Sequence, residues 1–293
     1  MDIGSLITRP GQVQYGSLLL GADTRYGWRE LTGWEELPAL DSGTVARSGG
    51  HGAYPGALLA QTRTVGISGM VIRAPRAEVG HVVGQLAAGT SVTSEELPLV
   101  VWLDERGPLL VWARVVRRAV PVGTGYRLGT IIGGAVEWEA SDPRRYELAE
   151  QSATARLPQP EPGLKWPLTW PLFFGAPGST GTLSAHNDGT APTHPTVEFH
   201  GPVTTPSLTN LATGAVLEYD LRLAAEDVLT VDTAAGTVLL NGTASRLYTV
   251  TARSAPEQSW TLPPGASDFH FRTTSGTSDP RASATVRWRS AYW

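Results

Sequence analysis

Three histidines, His186, His194 and His200, fall close together in a chain without cysteine, so any zinc site would have to be built from imidazoles and carboxylates. Their spacing matches no helix or hairpin ligand pair, and they read as turn and surface residues. The carboxylate pairs Glu35-Glu36 and Glu95-Glu96 are the next candidates. Glycoside hydrolysis needs two carboxyls roughly 5 to 10 Å apart across a cleft, and neighbours on a strand point to opposite faces. No Gly-x-Ser-x-Gly elbow is present, and Gly66-Ile67-Ser68-Gly69 has the wrong spacing and falls inside a strand pattern. Gly123, Gly125 and Gly129 depart from the dinucleotide fingerprint and predict a hairpin. Lys165 follows Leu164 rather than a glycine, which excludes a phosphate loop. The residue types thus predict no enzyme, no cofactor and no metal site.

The elements that would position such groups are mostly strands. With 33 glycines and 22 prolines scattered without a period, the chain must turn often, which predicts a mainly β fold of short strands. From residue 183 to 293 the pattern is that of an antiparallel β-sandwich. Leu217 to Leu223 and Val228 to Asp232 alternate, and Thr237 to Leu240 runs into Asn241-Gly242, the dipeptide suited to a two-residue hairpin turn. Tyr248 and Val250 resume on the far side, and Ala284 to Arg289 makes a final strand.

Residues 1 to 150 predict a barrel-like α+β domain with one helix. Strands are expected at Val13 to Leu20, Leu58 to Gln61, Arg63 to Ile72, Leu97 to Asp104, Leu109 to Val120 and Tyr126 to Glu139. The helix starts near Pro75, carries Val79, Val82, Val83 and Leu86 on one face and stops at Gly89. Gly80 and Gly84 each cost roughly 1 kcal/mol against Ala, which predicts a close neighbour on their face.

Residues 151 to 182 read as a linker rich in proline and aromatics, stiff rather than slack. Trp166 and Trp170, each followed by proline, have two possible uses: a staple between the domains, or a platform on which a sugar ring stacks. The staple is preferred because large aromatics are mostly buried and dominate packing. A net charge of -4 advertises no affinity for nucleic acid or anionic membrane. No run approaches the roughly 18 apolar residues of a spanning helix, and the start of the chain lacks a secretory pattern, so assembly in the cytoplasm is expected.

The order of residues in the last third resembles the C-terminal domain of the distal tail proteins of long-tailed, non-contractile bacteriophages. Asn187 with Gly189 comes first, then Pro195 to Pro202 and Pro206, Asn210 with Thr213-Gly214, and Ala225-Glu226-Asp227. Val231-Asp232, Thr237-Val238 with Asn241-Gly242, Trp260 with Leu262, Pro264-Gly265 and Val286 to Trp293 complete the set. After Pro264-Gly265 the family usually places an Asn, where this chain has Ala266-Ser267-Asp268. In the N-terminal half, His51-Gly52 followed by Arg63 and a strand, and the closing Asp142-Pro143-Arg144 with Tyr146, are similar to the family's ring-forming domain. The resemblance implies a galectin-like C-terminal sandwich and a structural virion protein that forms a homo-hexameric ring. The ring would join the tail-tube protein to a tail-associated fibre or lysin protein and let DNA pass without specific binding. An alternative is a carbohydrate-binding module that contacts host-surface glycan.

Overall fold

The computed structural model describes residues 2–159, 170, 178–274 and 279–293. The chain divides into two compact units, Met1–Leu148 with Trp293, and Ala149–Tyr292.

In the first unit an antiparallel sheet runs in the order Leu18–Gly21, Gln12–Tyr15, Leu97–Trp102, Leu109–Ala119, Thr130–Ala140, Arg63–Arg73 and Tyr26–Gly27. Its first and last strands are separated by one short turn in sequence and lie side by side, so the sheet nearly closes into a barrel. The curl has a local cause. The register between Thr130–Ala140 and Arg63–Arg73 slips at Gly134, beside Gly69 and Gly133 at φ +61° and +87°, and such bulges bend and twist a strand. Val13, Tyr15, Leu20, Val65, Ile67, Ile72 and Trp138 fill the core, and the helix Val79–Gly89 buries Val79, Val82 and Leu86 against them.

Several expectations change in detail. Val13 to Leu20 is two strands joined at Gly16, whose φ of +54° reverses the chain. Tyr126 to Leu128 belongs to a five-residue helix, Thr124–Leu128, and the strand that follows starts at Thr130. The three glycines read as a hairpin therefore lie in a helical connection between antiparallel neighbours. The close neighbour expected over Gly80 and Gly84 is missing among the described residues: a Cβ at either position meets nothing within 4 Å.

The second unit is a sandwich of two antiparallel sheets. One runs Gln151–Arg156, Ser283–Trp288, Thr196–His200, Val228–Asp232, Thr237–Leu240 and Ala244–Ser245; the other runs Thr182–Asn187, Gly265–Thr273, Pro206–Asn210 and Val216–Glu218. Alternate residues of each strand point inward, and Phe199, Phe269, Phe271, Tyr219 and Trp260 interlock between the sheets. Asn241 and Gly242 both have positive φ, but the turn is one residue longer than the expected two, since Leu240 pairs with Ala244 and leaves Asn241, Gly242 and Thr243 between them. Where a strand through Tyr248 and Val250 was expected, Leu247–Thr249 forms a 3₁₀ turn. Gln151–Arg156, within the stretch read as linker, is an edge strand of the first sheet.

Candidate assembly surface

Between the strands Glu30–Thr32 and Arg63–Arg73 the chain leaves the barrel and returns. Leu40–Ser42 pairs with Leu58–Ala60, and Val45–Ala46 with Ala53–Tyr54, with Gln61 N donating to Ala39 O at 2.8 Å and Gly43 N to Ala57 O at 3.3 Å. The result is a two-stranded arm in which no residue from 39 to 62 is buried. Gly43 and Gly56 let its strands touch: a Cβ on Gly56 would sit 2.2 Å from the Gly43 carbonyl carbon. At the tip the Arg47 guanidinium lies 5.0 Å from the centre of the Tyr54 ring.

The chemistry of the arm is apolar. Leu58 and Leu59 are 63% and 66% exposed, and Leu37, Leu40, Val45 and Tyr54 also face solvent. A two-stranded ribbon is marginal in water by itself, and exposed leucines on both of its faces are the kind of apolar surface that suits contact with another body.

The foot of the arm is polar and closed. Arg63 is 1% exposed, and its Nη1 donates to the carbonyl oxygens of Gly33, Trp34 and Glu36 at 2.7, 3.1 and 2.8 Å. Its Nε donates to Pro143 O at 2.6 Å. Burial, together with nearby Arg145, lowers its pKa to about 10. Glu35, on the same foot, accepts from Arg106 Nη1 and Nη2 at 3.1 Å each and from Arg145 Nη1 at 3.0 Å.

The candidates for catalysis are scattered. His186 lies on the strand Thr182–Asn187 and pairs with Asp188 at 3.2 Å; His200 ends Thr196–His200 in the other sheet and pairs with Glu198 at 3.5 Å. Among the described residues no group of three or more His, Asp or Glu is arranged to hold a metal. Glu96 accepts from the Ser141 N–H and hydroxyl at 2.7 and 2.9 Å, and Ser68 donates to Glu30 at 3.1 Å. Trp170 is 86% exposed, and Trp166 lies outside the described residues. Of the arm, the sequence marks one strand, Leu58 to Gln61, found as Leu58–Ala60; the others expose both faces, so no hydrophobic period marks them, and the visible signal beside them is the glycine-rich run from Ser48 to Gly56.

The residues of the C-terminal resemblance prove to be corner pieces. The buried Asn187 donates to Ala191 O at 2.9 Å and Leu262 O at 3.1 Å, and its Oδ1 accepts from Gly189 N and Ala291 N. Asn210 Oδ1 accepts from Ala212 N and Thr213 N. Asp227 accepts from Ala224 N and from Asn241 Nδ2, tying one hairpin to the next.

No curated protein matches the sequence. Residues 188–292 match the family model described as siphovirus-type tail component, C-terminal domain. Among solved structures, the Dit protein (gp 19.1) of SPP1, described as a paradigm of the hub adsorption apparatus in phages infecting Gram-positive hosts, superposes with a TM-score of 0.67 at 12% identity, covering 96% of this chain and 99% of that one. A chain of the phage P2 baseplate in its Ca-activated conformation gives a TM-score of 0.52 at 10% identity, covering 94% and 97%. Residues 188–292 are thus similar to the siphovirus-type tail component C-terminal domain, in a chain whose fold over nearly its whole length is similar to that of SPP1 Dit.

Proposed function

We propose that this protein is a structural hub of a long, non-contractile phage tail, in which six N-terminal units close a ring. The ring stacks between the tail-tube protein and a fibre or lysin protein, the C-terminal sandwiches lie outside it, and DNA passes through the lumen. The observation that carries this reading is the arm, an apolar surface that its own chain leaves uncovered. An arm seated on a different surface of the next copy makes a head-to-tail contact, which generates a closed ring when the rotation between copies closes. The matched tail-component domain and the likeness to SPP1 Dit support the same role, and the acidic balance suits a lumen that must release DNA rather than hold its phosphates.

Native mass measurement of the full chain is the test. A six-copy species is expected, reduced to single copies by the double substitution Leu58→Asp and Leu59→Asp with unchanged circular dichroism. A double variant that assembles like the parent overturns the role of the arm.

For the linker tryptophans, the exposure of Trp170 supports a second reading, a stacking platform for host-surface polysaccharide, beside the inter-domain staple. Polysaccharide pull-down with Trp166→Ala and Trp170→Ala separates them: the platform loses binding, and the staple shows none to lose.

A further inference from the structure

We propose that Arg63 is the positioning residue of the arm, its guanidinium fixing the direction in which the arm leaves the barrel. The proposal rests on the reading of the arm as the assembly surface. Both feet of the arm meet at this side chain. The carbonyls of Gly33, Trp34 and Glu36 belong to the chain entering the arm, and Arg63 itself stands where the chain returns. The fourth acceptor, Pro143 O, belongs to the corner after Thr130–Ala140, so one planar cation ties both feet to the barrel wall. Backbone packing completes the joint: Gly33 has φ +74°, and a Cβ there would lie 1.8 Å from Thr64 O. Trp34 is buried beneath, with the Arg145 guanidinium 5.9 Å from its ring. Glu35, gripped by Arg106 and Arg145, forms an outer stay.

Beyond the foot no residue from 39 to 62 is buried against the described residues. An arm of about 35 Å, at roughly 3.3 Å per residue, shifts its tip by roughly 6 Å for each ~10° of tilt at the foot. A head-to-tail contact tolerates little of that. Arginine suits the task because its fixed fork serves several carbonyls at once, whereas a lysine ammonium on a flexible stem acts as a point charge.

The test exploits the absence of cysteine from the chain. Nitroxides at Ser48→Cys on the arm tip and Thr93→Cys on the barrel, diluted with unlabelled protein, report the tip-to-barrel distance by pulsed electron paramagnetic resonance. Arg63→Lys is expected to broaden that distribution at least twofold and to raise the protein concentration needed for ring formation about tenfold. Val82→Ala, a core truncation in the helix far from the foot in sequence, serves as the control for lost stability and is expected to change neither. If Arg63→Lys fails to fold, Arg106→Ala, which leaves Glu35 held by Arg145 alone, is expected to broaden the distribution to a smaller degree. An unchanged distribution in whichever of the two variants folds, or a loss of rings in Arg63→Lys no greater than in Val82→Ala, overturns the proposal. Retained rings in the Leu58→Asp, Leu59→Asp protein sink instead the reading of the arm as the interface, while the distance measurement still judges Arg63 alone.

Discussion

Asp142 draws several donors onto one carboxylate. Arg144 donates from Nε to Oδ1 and from Nη2 to Oδ2, both at 2.8 Å, and the Tyr146 hydroxyl donates to Oδ2 at 2.6 Å. Burial favours the protonated acid, but the bonds from Arg144 and Tyr146 more than reverse it and hold the pKa below the ordinary carboxylate value. The stability this contributes is present above the unfolded pKa, about 3.9, and is lost as pH falls through the lower folded value. Asp142→Asn is therefore expected to cost about 2 kcal/mol at pH 7, with the gap to the parent narrowing as pH falls below the unfolded value of about 3.9, as urea titrations across that range would show. A gap that persists in acid removes the carboxylate from the explanation. Trp170 stands at the other extreme. With its ring in solvent, Trp170→Ala is expected to change the unfolding free energy by less than about 0.5 kcal/mol, whereas a buried wedge would lose roughly 3 to 5 kcal/mol in the same titration.

At the level of elements, the arm hangs on a glycine pair. Gly56→Ala drives a Cβ into the Gly43 backbone, so amide exchange at Gly43 and Gln61 should accelerate at least tenfold while the thermal midpoint of the barrel stays within about 2 °C. A lowered midpoint would mean that the arm is part of the cooperative core. What the sequence reveals of each element follows from which faces it buries. Thr196–His200 and Val228–Asp232 bury alternate residues, and the period of two is plain in their letters. Gln151–Arg156 turns Ala153 and Ala155 inward among Ser, Thr and Arg, too small an apolar signal to stand out beside the prolines that follow. The arm has no inward face at all. Its foot was hidden, since Arg63 binds main-chain carbonyls, and any residue type can supply those.

Across the molecule, the boundary of the sandwich carries a prediction. The family match begins at 188, yet Gln151–Arg156 and Thr182–Asn187 form the edges of the two sheets and contribute Ala155, Leu183 and Ala185 to the core, with Leu157 just beyond the first strand. A fragment of residues 149–292 is expected to fold and to sediment as a monomer. A fragment of residues 188–292 uncovers the edges of Ser283–Trp288 and Gly265–Thr273 together and should aggregate. A soluble, cooperatively melting short fragment would show that the two strands are dispensable.

The arm would also give the proposed ring a clock that a protease can read. Arg47 is the one arginine between residues 37 and 62 and sits at the exposed tip, so trypsin should nick free subunits there quickly. In the proposed ring a neighbouring copy covers the arm, so the same bond would be shielded and cleavage would slow to the rate at which subunits leave. Nicking after Arg47 sampled over time would therefore time subunit departure directly, and a nick made before assembly would remove a subunit from the pool that can still join.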